Sequence, residues 1–552
     1  MDVQSEAYIV WFVVILVASG WGIYKITPAG RRKKKAQEAA VAERKRRALM
    51  GIHQRGSQLT HPDALAKKIA PDNEGDANSG STRKQEHTMT TDNAETRLAL
   101  AGIPLPERIE TQHLLLEGST GTGKSTALRA VVPRIRQRGD RAVIVDPAGE
   151  MMCRYWQPGD VILNPLDARS AAWSPFAEVG QPSDADRLAK SMIPDIDGGG
   201  DSQQWQLYSQ NLVSAVLQKL WEGGQATNAD LVHSLTILKS EDLEPIVAGT
   251  MAQTLFDVGA AKMLSNVRGI IGSYLPAYRF LPSDADGRSW SIRRWVESGQ
   301  GWLWIPVRAD MMAAMRPLVA AWLGEIVSSV LSLRPDRDRR LWLVLDELAA
   351  LGRIQSLADA LTQGRKFGLC SVGGLQTVAQ LRGAYGQHGA QTLLSCFSSQ
   401  LILRAADPET ASWCSQALGQ RQIKRTVESS GVGAGGSHSG ESEQVTIEPL
   451  VLPSEISTLP DLQGYLKFAG NWPVARVTIP LPDEIPEVRP PFVPAGSAPA
   501  VPRGTPTAAV ESQATANPAV QADAATPAPA EPDPGAELTE QFRKLLSGES
   551  SE

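Results

Sequence analysis

Residues 118–125, GSTGTGKS, fit the phosphate-loop pattern GxxxxGK[ST] and constrain the fold of this chain more than any other feature. The apolar run Leu114–Leu116 precedes the motif, and the helix-forming run Thr126–Ala130 follows it. Glycines in such a loop turn successive backbone N–H groups toward an anion at the N-terminus of the helix. A glycine-rich turn without a ligand needs neither the strand nor the helix. The sequence therefore predicts an α/β fold built around a phosphate-binding loop.

The loop supplies the predicted nucleotide contacts. These are the residues of the motif and the one that follows it: Gly118, Ser119, Thr120, Gly121, Thr122, Gly123, Lys124, Ser125 and Thr126. Lys124 is expected to neutralise the β- and γ-phosphates, and the Ser125 hydroxyl to complete the coordination shell of Mg²⁺. ATP and Mg²⁺ are therefore the predicted cofactors.

A second predicted element is an apolar strand that ends in carboxylates. Leu341–Leu345 is followed at once by Asp346 and Glu347. Asp346 is expected to hold Mg²⁺ through water, and Glu347 to polarise the water that attacks the γ-phosphate. A strand that ends in Asp-Glu is common by itself, but a phosphate loop upstream makes the pair a strong candidate for metal binding and catalysis.

Three polar residues lie beside later predicted strands. Arg365 precedes Leu369–Gly373, where it is either an arginine finger for the γ-phosphate of a neighbouring subunit or a solvated or DNA-facing basic residue. Gln376 follows the same run, where a carboxamide can sense the γ-phosphate or orient water. Arg404 follows Gln400–Leu403 and is either a residue of a subunit interface or a partner in a structural ion pair.

Further apolar runs predict the rest of the sheet. Besides Leu114–Glu117 and Leu341–Leu345, the predicted strands are Ala142–Val145, Val161–Leu163, Trp302–Val307, Leu369–Gly373 and Gln400–Leu403. Several lack the alternation of half-exposed strands, and helical patterns separate most of them, which predicts a parallel α/β sheet. Residues 175–282 show helical spacing without a strand signal. They are predicted to form an all-α domain inserted between two parts of the nucleotide-binding domain, 94–174 and 283–482.

The N-terminal residues predict a membrane anchor. Residues 7–24 form an uncharged run of 18 residues, which is long enough to cross about 30 Å of hydrocarbon as a helix. Asp2 and Glu6 disfavour a cleaved signal peptide, and the Lys/Arg-rich residues that follow the run predict that the bulk of the chain faces the cytosol. We therefore expect a single-pass anchor at 1–26 and a polar, basic, mostly disordered linker at 27–93.

Charge and composition are unevenly distributed. The net charge is −5, but residues 483–552 alone contain 11 acidic and 4 basic residues. This Pro/Ala-rich segment is predicted to be a disordered tail, in which Leu538–Leu546 forms a helix with or without a docking partner. Ser429–Ser442 is rich in Gly and Ser and is predicted to be a flexible loop. The four cysteines form no CxxC pair, which disfavours zinc ribbons and disulfide scaffolds.

Together these motifs resemble the type IV coupling proteins of conjugation and secretion systems, the TraD-like group of membrane-anchored DNA-pumping ATPases. The resemblance covers about residues 97–480 and extends well beyond the phosphate loop. The other segments that carry it are Leu100–Pro106, Asp146–Glu150, Asn164–Asp167, Trp173–Phe176, Leu345–Glu347, Gly374–Gln376, Ala406–Thr410 and Leu462–Lys467.

The resemblance implies a RecA-like motor domain with an all-α domain at its cytoplasmic mouth, assembled as a hexameric ring around a channel. It implies ATP-driven transfer of single-stranded DNA, bound to a relaxase, to a type IV secretion channel. The other implied partners are the components of that system in the bacterial inner membrane. The family's roles fall on residues named above: Lys124 and Ser125, Asp346 and Glu347, Arg365 as an arginine acting in trans, and Gln376 as the residue that couples hydrolysis to motion.

The membrane part departs from the family pattern, because many members carry two N-terminal membrane helices and this sequence shows one. Two other functions stay open. A DNA translocase of the FtsK/HerA kind fits the single short anchor, although residues 462–467 and the helical insertion favour a coupling protein. A docking receptor that uses nucleotide as an assembly switch predicts slow turnover that DNA does not change.

Overall fold

A ten-stranded sheet forms the centre of the structure. The structure is a computed structural model, and it describes residues 52–76, 97–196, 200–224, 227–282, 289–354, 357–433, 436–483 and 485–495. The described strands are β1 (Ile52–Gly56), β2 (Leu59–Thr60), β3 (Ala99–Leu100), β4 (Ile103–Pro104), β5 (Leu114–Glu117), β6 (Arg141–Pro147), β7 (Val161–Ile162), β8 (Leu303–Val307), β9 (Leu341–Leu345), β10 (Leu369–Leu375), β11 (Ser399–Ile402), β12 (Gln420–Gly433), β13 (Gly436–Pro449), β14 (Gln463–Lys467) and β15 (Val474–Thr478). The large sheet has the order β2-β15-β14-β11-β5-β10-β9-β6-β8-β7.

Seven neighbouring strands of this sheet, from β11 to β7 in that order, run parallel. They are the seven strands that the apolar runs predict, and β5, β9 and β10 are buried at every residue. Burial on both faces explains why these strands read as continuous apolar runs. Since β10 lies between β5 and β9, the residues that follow these three strands meet at one edge of the sheet.

The sheet is extended by strands that the sequence did not predict. β14 pairs antiparallel with β11 and with β15, and β2 pairs parallel with β15. β3 and β4 form a separate two-stranded ribbon just before the phosphate loop. The mixed edge lies on the β5 side of the sheet, so β14 and β15 are close to the phosphate loop.

Helices cover both faces of the sheet. The described α-helices are Pro62–Asp76, Glu107–Glu110, Lys124–Gln137, Met152–Tyr155, Pro182–Met192, Asp201–Glu222, Asn228–Thr236, Ser240–Val247, Ala261–Tyr274, Ile292–Ser298, Met312–Leu331, Leu357–Gln363, Val378–Ser395, Pro408–Leu418 and Pro453–Ser457. Short 3₁₀ helices lie at Pro175–Glu178, Met251–Phe256, Pro276–Phe280, Ala349–Leu351 and Gly364–Phe367.

Within the described part of the chain, Met312–Leu331 is the one helix that is long and apolar enough to cross a membrane. Buried residues make up 72% of its most apolar stretch, and Leu318, Trp322 and Ile326 belong to the main hydrophobic cluster. We therefore assign it as a core helix of the α/β domain. The predicted anchor at 7–24 lies outside the described residues.

Residues 175–282 contain helices and no strand among their described positions. Their core is continuous with that of the sheet, because Leu212 and Val216 belong to the same buried cluster as Val143 and Leu345. A buried carboxylate joins the two parts: Glu178 accepts hydrogen bonds from the Trp173 indole N–H (2.8 Å), the Ser291 hydroxyl (2.9 Å) and the backbone N–H of Ile292 (2.6 Å). The helical block is thus packed onto the sheet through a shared core.

The linker predicted at 27–93 is wrong for part of its length. Residues 52–70 carry β1 and β2 and most of the helix Pro62–Asp76, whose Leu65 and Ile69 are fully buried. These two residues are four positions apart and lie on one helical face. Burial of each contributes about 1.5–3 kcal/mol to folding. Two well-placed apolar side chains are enough to fix a segment whose average composition is polar.

The flexible loop predicted at Ser429–Ser442 is also wrong. β12 and β13 continue through it as an antiparallel hairpin, in register from Gln420 opposite Pro449 to Gly433 opposite Gly436. β1 adds to β12 as a third strand. Backbone hydrogen bonds between β12 and β13 continue from the base of the hairpin to its tip, so the Gly/Ser content of the segment does not end the strands.

The prediction of a disordered tail from residue 483 is wrong for its first residues, because residues 485–495 form backbone contacts with the rest of the structure. Residues 485–495 lie against the segment between β6 and the helix Pro182–Met192 and are held there by backbone hydrogen bonds. The N–H of Val488 donates to the carbonyl of Cys153 (2.8 Å), and the N–H of Ala168 donates to the carbonyl of Val493 (2.9 Å). The Arg489 guanidinium stacks on Trp156 at 3.5 Å from the ring centre. The tail beyond residue 495, including Leu538–Leu546, lies outside the described residues.

Candidate nucleotide site

The phosphate loop connects β5 to the helix Lys124–Gln137, as its flanking residues predict. Gly123 has a left-handed backbone (φ 117°), and a Cβ atom there would lie 2.8 Å from Cδ2 of Leu462. Inside the loop, the Thr122 hydroxyl donates to the carbonyl of Ser119 at 2.8 Å. The position of Gly123 therefore requires glycine both for its backbone angle and for the close approach of Leu462.

Lys124 lies at the first helical position and is buried. Its ammonium group donates to the carbonyl of Gly118 and, at 3.2 Å, to that of Ser119. Burial lowers the pKa of Lys124, and the neighbouring carboxylates of Glu347 and Asp346 act in the opposite direction. The structure thus places a cation at the centre of the loop and next to both predicted acidic residues.

Asp346 and Glu347 follow β9 at the same edge. Burial raises the pKa of both carboxyl groups, while the charge of Lys124 lowers it. Their backbone is held against β10: the N–H of Leu348 donates to the carbonyl of Gly374 at 2.9 Å, and a Cβ atom on Gly374 would lie 1.8 Å from the carbonyl oxygen of Asp346. A side chain at Gly374 would force the two carboxylates away from the loop.

Gln376, directly after β10, joins the loop to the acidic pair. Its Oε1 accepts a hydrogen bond from the Thr120 hydroxyl at 3.2 Å. A side-chain hydrogen bond from Gln376 lowers the pKa of Glu347, so the carboxamide contacts both sides of the cleft. The other oxygen of Glu347, Oε1, is buried without a hydrogen-bond partner in the described part of the chain.

These side chains line one cleft of about 610 Å³. The cleft is also lined by Ser125, Thr126, Pro147, Ala309, Met312, Asp461 and Leu462. No group of three or more His, Cys, Asp or Glu side chains suited to a metal ion is found among the described residues. A hydroxyl at Ser125 and a carboxylate at Asp346 fit Mg²⁺ nevertheless, because proteins bind this ion through one or two side chains together with substrate phosphates.

Asp146, which the sequence analysis gave no role, follows the core of β6 beside this cleft. It is buried, and its Oδ2 accepts from the N–H groups of Met151 (2.8 Å) and Met152 (2.7 Å). Burial raises the pKa of Asp146 to about 7, and the charges of Asp346 and Glu150 act in the same direction. Asp146 directly follows the predicted strand Ala142–Val145, but the structure and not the sequence shows that this strand is a parallel neighbour of β9 and ends at the same edge.

Asp461 and Leu462 close the cleft on the opposite flank from Asp346. The N–H of Leu462 donates to the carbonyl of Thr122 at 3.0 Å, which fixes the turn before β14 against the loop. Arg404 forms an ion pair with Asp461 (2.6 Å). Of the two interpretations of Arg404, the structure therefore shows the intramolecular ion pair.

Arg365 does not join the cleft. It lies in the 3₁₀ turn Gly364–Phe367 that precedes β10, at the opposite edge of the sheet from Gln376, and it is exposed. One chain therefore gathers the loop, Asp346, Glu347 and Gln376, and leaves Arg365 pointing away from its own site.

A parallel sheet with a phosphate loop after β5, an acidic pair after β9 and a carboxamide between them defines an α/β NTPase fold. Residues 97–480 match the model of the family described as the type IV secretion-system coupling protein DNA-binding domain. The chain belongs to this family.

Individual relatives agree with this assignment. The coupling protein TraD of Escherichia coli (strain K12) is 30% identical over 412 residues, which are 73% of this chain and 57% of TraD. The chain thus spans little more than half the length of that relative. The bacterial conjugative coupling protein TrwBdeltaN70, in its unbound monoclinic form, superposes with a TM-score of 0.70 at 36% identity over 80% of this chain and 97% of its own. TrwB in complex with ADP and Mg²⁺ gives 0.69 at 36% identity, covering 80% and 98%.

Proposed function

We propose that this protein is a RecA-like ATPase that drives single-stranded DNA, bound to a relaxase, into a type IV secretion channel. The observation that carries the proposal is the chain of side chains Thr120, Gln376 and Glu347, which connects the phosphate loop to the predicted catalytic carboxylate. A carboxamide in this position lies between the region of the γ-phosphate and Glu347, on the side from which water attacks. Such a contact lets hydrolysis change the position of β10.

The proposal includes the following nucleotide contacts. Backbone N–H groups of residues 118–126 hold the phosphates, and the Lys124 ammonium group exchanges its loop carbonyls for phosphate oxygens. Ser125 and Asp346 would hold Mg²⁺, which supplies charge neutralisation of the phosphates when bound. The solved TrwB complex with ADP and Mg²⁺ supports these cofactors for a protein of this fold.

Glu347 is the proposed base. Its buried position and raised pKa increase its affinity for a proton, and its Oε1 has no hydrogen-bond partner among the described residues. The Gln376 carboxamide holds the other side of the carboxylate. In this arrangement Glu347 orients the attacking water while Lys124 and the loop N–H groups stabilise charge on the γ-phosphate.

Arg365 is the proposed arginine finger, and it acts on the site of a neighbouring copy. Its distance from its own cleft, across the full length of β10, supports action in trans. A ring of six copies would give every site such an arginine. The remaining parts of the proposal are a single-pass anchor at 7–24 in the inner membrane, a cytosolic motor, and contacts with inner-membrane components of the secretion system.

ATP hydrolysis by the full-length chain in detergent, with and without single-stranded DNA and over a range of protein concentrations, tests the proposal. Turnover that rises with DNA and steeply with protein concentration supports a ring motor with shared sites. Flat turnover without a DNA effect contradicts it and favours a nucleotide-switched docking receptor. Stimulation by double-stranded DNA in place of single-stranded DNA favours a translocase of the FtsK/HerA kind.

A further inference from the structure

His113 is a buried residue with an unusual backbone, placed immediately before β5. It has a left-handed conformation (φ 61°) and is 2% exposed. Few residues other than glycine adopt this conformation, and when they do the surrounding structure must hold them there. The ring packs edge-on against Phe397 with centroids 6.2 Å apart. Its backbone carbonyl accepts the N–H of Ser399, at the start of β11.

The imidazole of His113 makes one hydrogen bond, to the helix that carries the chain toward Arg365. Nε2 lies 2.7 Å from the carbonyl oxygen of Leu361 and must donate, because that oxygen can only accept. Nδ1 is buried without a partner among the described residues. Burial lowers the pKa of His113 to about 4, and the charge of Arg365 acts in the same direction. The ring is therefore neutral, with its one proton on Nε2.

Leu361 is in the last turn of the helix Leu357–Gln363, and the 3₁₀ turn with Arg365 follows directly. The last carbonyls of a helix lack partners within it. His113 therefore satisfies a carbonyl that would otherwise be buried and unpaired. On its other side the turn is held by the N–H of Asp336, which donates to the carbonyl of Lys366 at 2.9 Å. Arg339 also donates from Nη1 to the carbonyl of Phe367 at 3.2 Å. Of these attachments among the described residues, the one through His113 leads to the base of the phosphate-loop strand.

We infer that His113 is a positioning residue that fixes the Arg365 turn to the strand leading into the phosphate loop, so that the arginine is presented to the site of the next subunit. This inference rests on the proposed function of Arg365 in trans. β5 begins at Leu114 and ends at Glu117, next to Gly118. This short, fully buried strand connects the phosphate loop directly to His113, with no flexible segment between them.

Complementation in mixed rings tests the inference with the full-length protein. Lys124→Ala subunits keep a working arginine but lack a working site, whereas Arg365→Ala subunits keep the site but lack the arginine. Mixing the two inactive variants is expected to restore DNA-stimulated ATP hydrolysis. The double variant Lys124→Ala/His113→Phe keeps an aromatic ring and removes the donor. It is expected to restore at least about tenfold less activity, since a catalytic group displaced by about 1 Å costs on the order of 10²-fold.

This design separates positioning from stability. The site of the double variant is already inactive, so damage to its own loop does not alter the result, and sedimentation of the mixed rings shows that it has been incorporated. His113→Gln in the Lys124→Ala background restores an N–H donor of similar reach and is expected to recover complementation. If the Phe variant does not enter rings, His113→Leu against His113→Gln gives the same comparison.

The outcomes are distinct. Failure of Lys124→Ala to complement Arg365→Ala contradicts the action of Arg365 in trans, and this inference with it. If Lys124→Ala complements equally well with and without the His113 substitution, the positioning role of His113 is overturned, while the action of Arg365 in trans is not affected. Loss with Phe and recovery with Gln support it.

Discussion

The Thr120 hydroxyl donates to the Gln376 carboxamide across the cleft at 3.2 Å, joining the tip of the phosphate loop to the end of β10. The two residues are 256 positions apart in the chain. They meet because β10 is inserted between the strand of the loop and the strand of the acidic pair. Under the proposed function, this contact lets the end of β10 respond to whatever occupies the loop.

Gln376→Ala is expected to lower DNA-stimulated hydrolysis by about 10²-fold while leaving ATP affinity within a few-fold, because the loop itself is intact. Thr120→Val, which removes only the hydroxyl, is the matched control and should lose part of the DNA stimulation. Steady-state hydrolysis with and without DNA, together with binding of a fluorescent ATP analogue, measures both quantities. Unchanged DNA stimulation in Gln376→Ala would show that the carboxamide does not couple DNA binding to ATP hydrolysis.

Lys124→Ala is expected to abolish DNA transfer and to lower hydrolysis by at least about 10²-fold, because the central cation of the loop is lost. Lys190→Ala, in the helix Pro182–Met192 outside the cleft lining, is a control for the loss of one lysine. Mating assays score transfer. Near-normal transfer frequency in the Lys124 variant would refute the motor function.

Arg365→Ala is expected to lower turnover by on the order of 10³-fold, the typical value of an arginine finger, and to keep nucleotide binding. Its exposed neighbour Lys366 provides the matched variant Lys366→Ala, which should stay within a few-fold of the parent. Loss of ATP binding in Arg365→Ala would mean that the residue serves its own chain and is no finger.

Gly374→Ala is expected to inactivate the enzyme and to lower its free energy of unfolding by at least about 1–3 kcal/mol. The added Cβ atom would lie 1.8 Å from the carbonyl oxygen of Asp346, so β9 and β10 must separate. Gly269→Ala is the control: apart from its chain neighbours and the backbone of its own helix, Ala261–Tyr274, no heavy atom of the described residues lies within 4 Å of its Cβ position. That substitution should stabilise the fold by about 1 kcal/mol. Thermal unfolding and ATP hydrolysis compare the two variants.

Asp146→Asn is expected to stabilise the protein more as the pH rises. An Asp in the unfolded chain ionises near about 3.9, whereas burial raises the pKa of Asp146 to about 7 in the folded state. Folding therefore takes up a proton between these values, and the stability of the parent falls as pH rises from about 4 to about 7. Asn keeps an oxygen for the N–H groups of Met151 and Met152 and removes this cost.

Melting temperatures of the parent and Asp146→Asn at pH 5, 6, 7 and 8 test this expectation. The difference should grow up to about pH 7 and then level off. Asp338→Asn, at an exposed position, is the control for the loss of one carboxylate. A difference that shrinks with rising pH would mean that Asp146 is stabilised as an anion in the folded protein.

The sequence predicted the parts of the fold whose physics is local. The central parallel strands are continuous apolar runs because both of their faces are covered, and the phosphate loop carries its own strand and helix signals. β14, β15 and the β12–β13 hairpin escaped prediction because they lie outside the parallel part of the sheet, where each also pairs with a strand that is distant in the chain or, in the hairpin, carries a Gly/Ser-rich sequence. The helix with Leu65 and Ile69 escaped because its anchoring is due to two side chains and not to its composition.

The same distinction applies to the site. Lys124, Asp346, Glu347 and Gln376 each follow a predicted strand or loop, and parallel strands bring such residues to one edge. Asp146 obeys the same rule but was given no role, because the strand order that makes β6 a neighbour of β9 is not contained in any local pattern. The opposite placement of Arg365 follows from its position before β10, where a residue must lie at the amino edge of the sheet.

The docked segment 52–70 has a mechanical consequence. β2 is two residues long and shares the large sheet through its register with Val474 and Ala475 of β15, whose other neighbour β14 starts just after the Leu462 turn against the phosphate loop. Tension applied from the N-terminal side is carried first by the pairing of β1 with β12 and then by these few backbone bonds of β2, before it reaches Leu65 and Ile69. The segment acts as a shear link, and the load that it transmits arrives at β15, which β14 and β11 separate from the strand that leads to the phosphate loop.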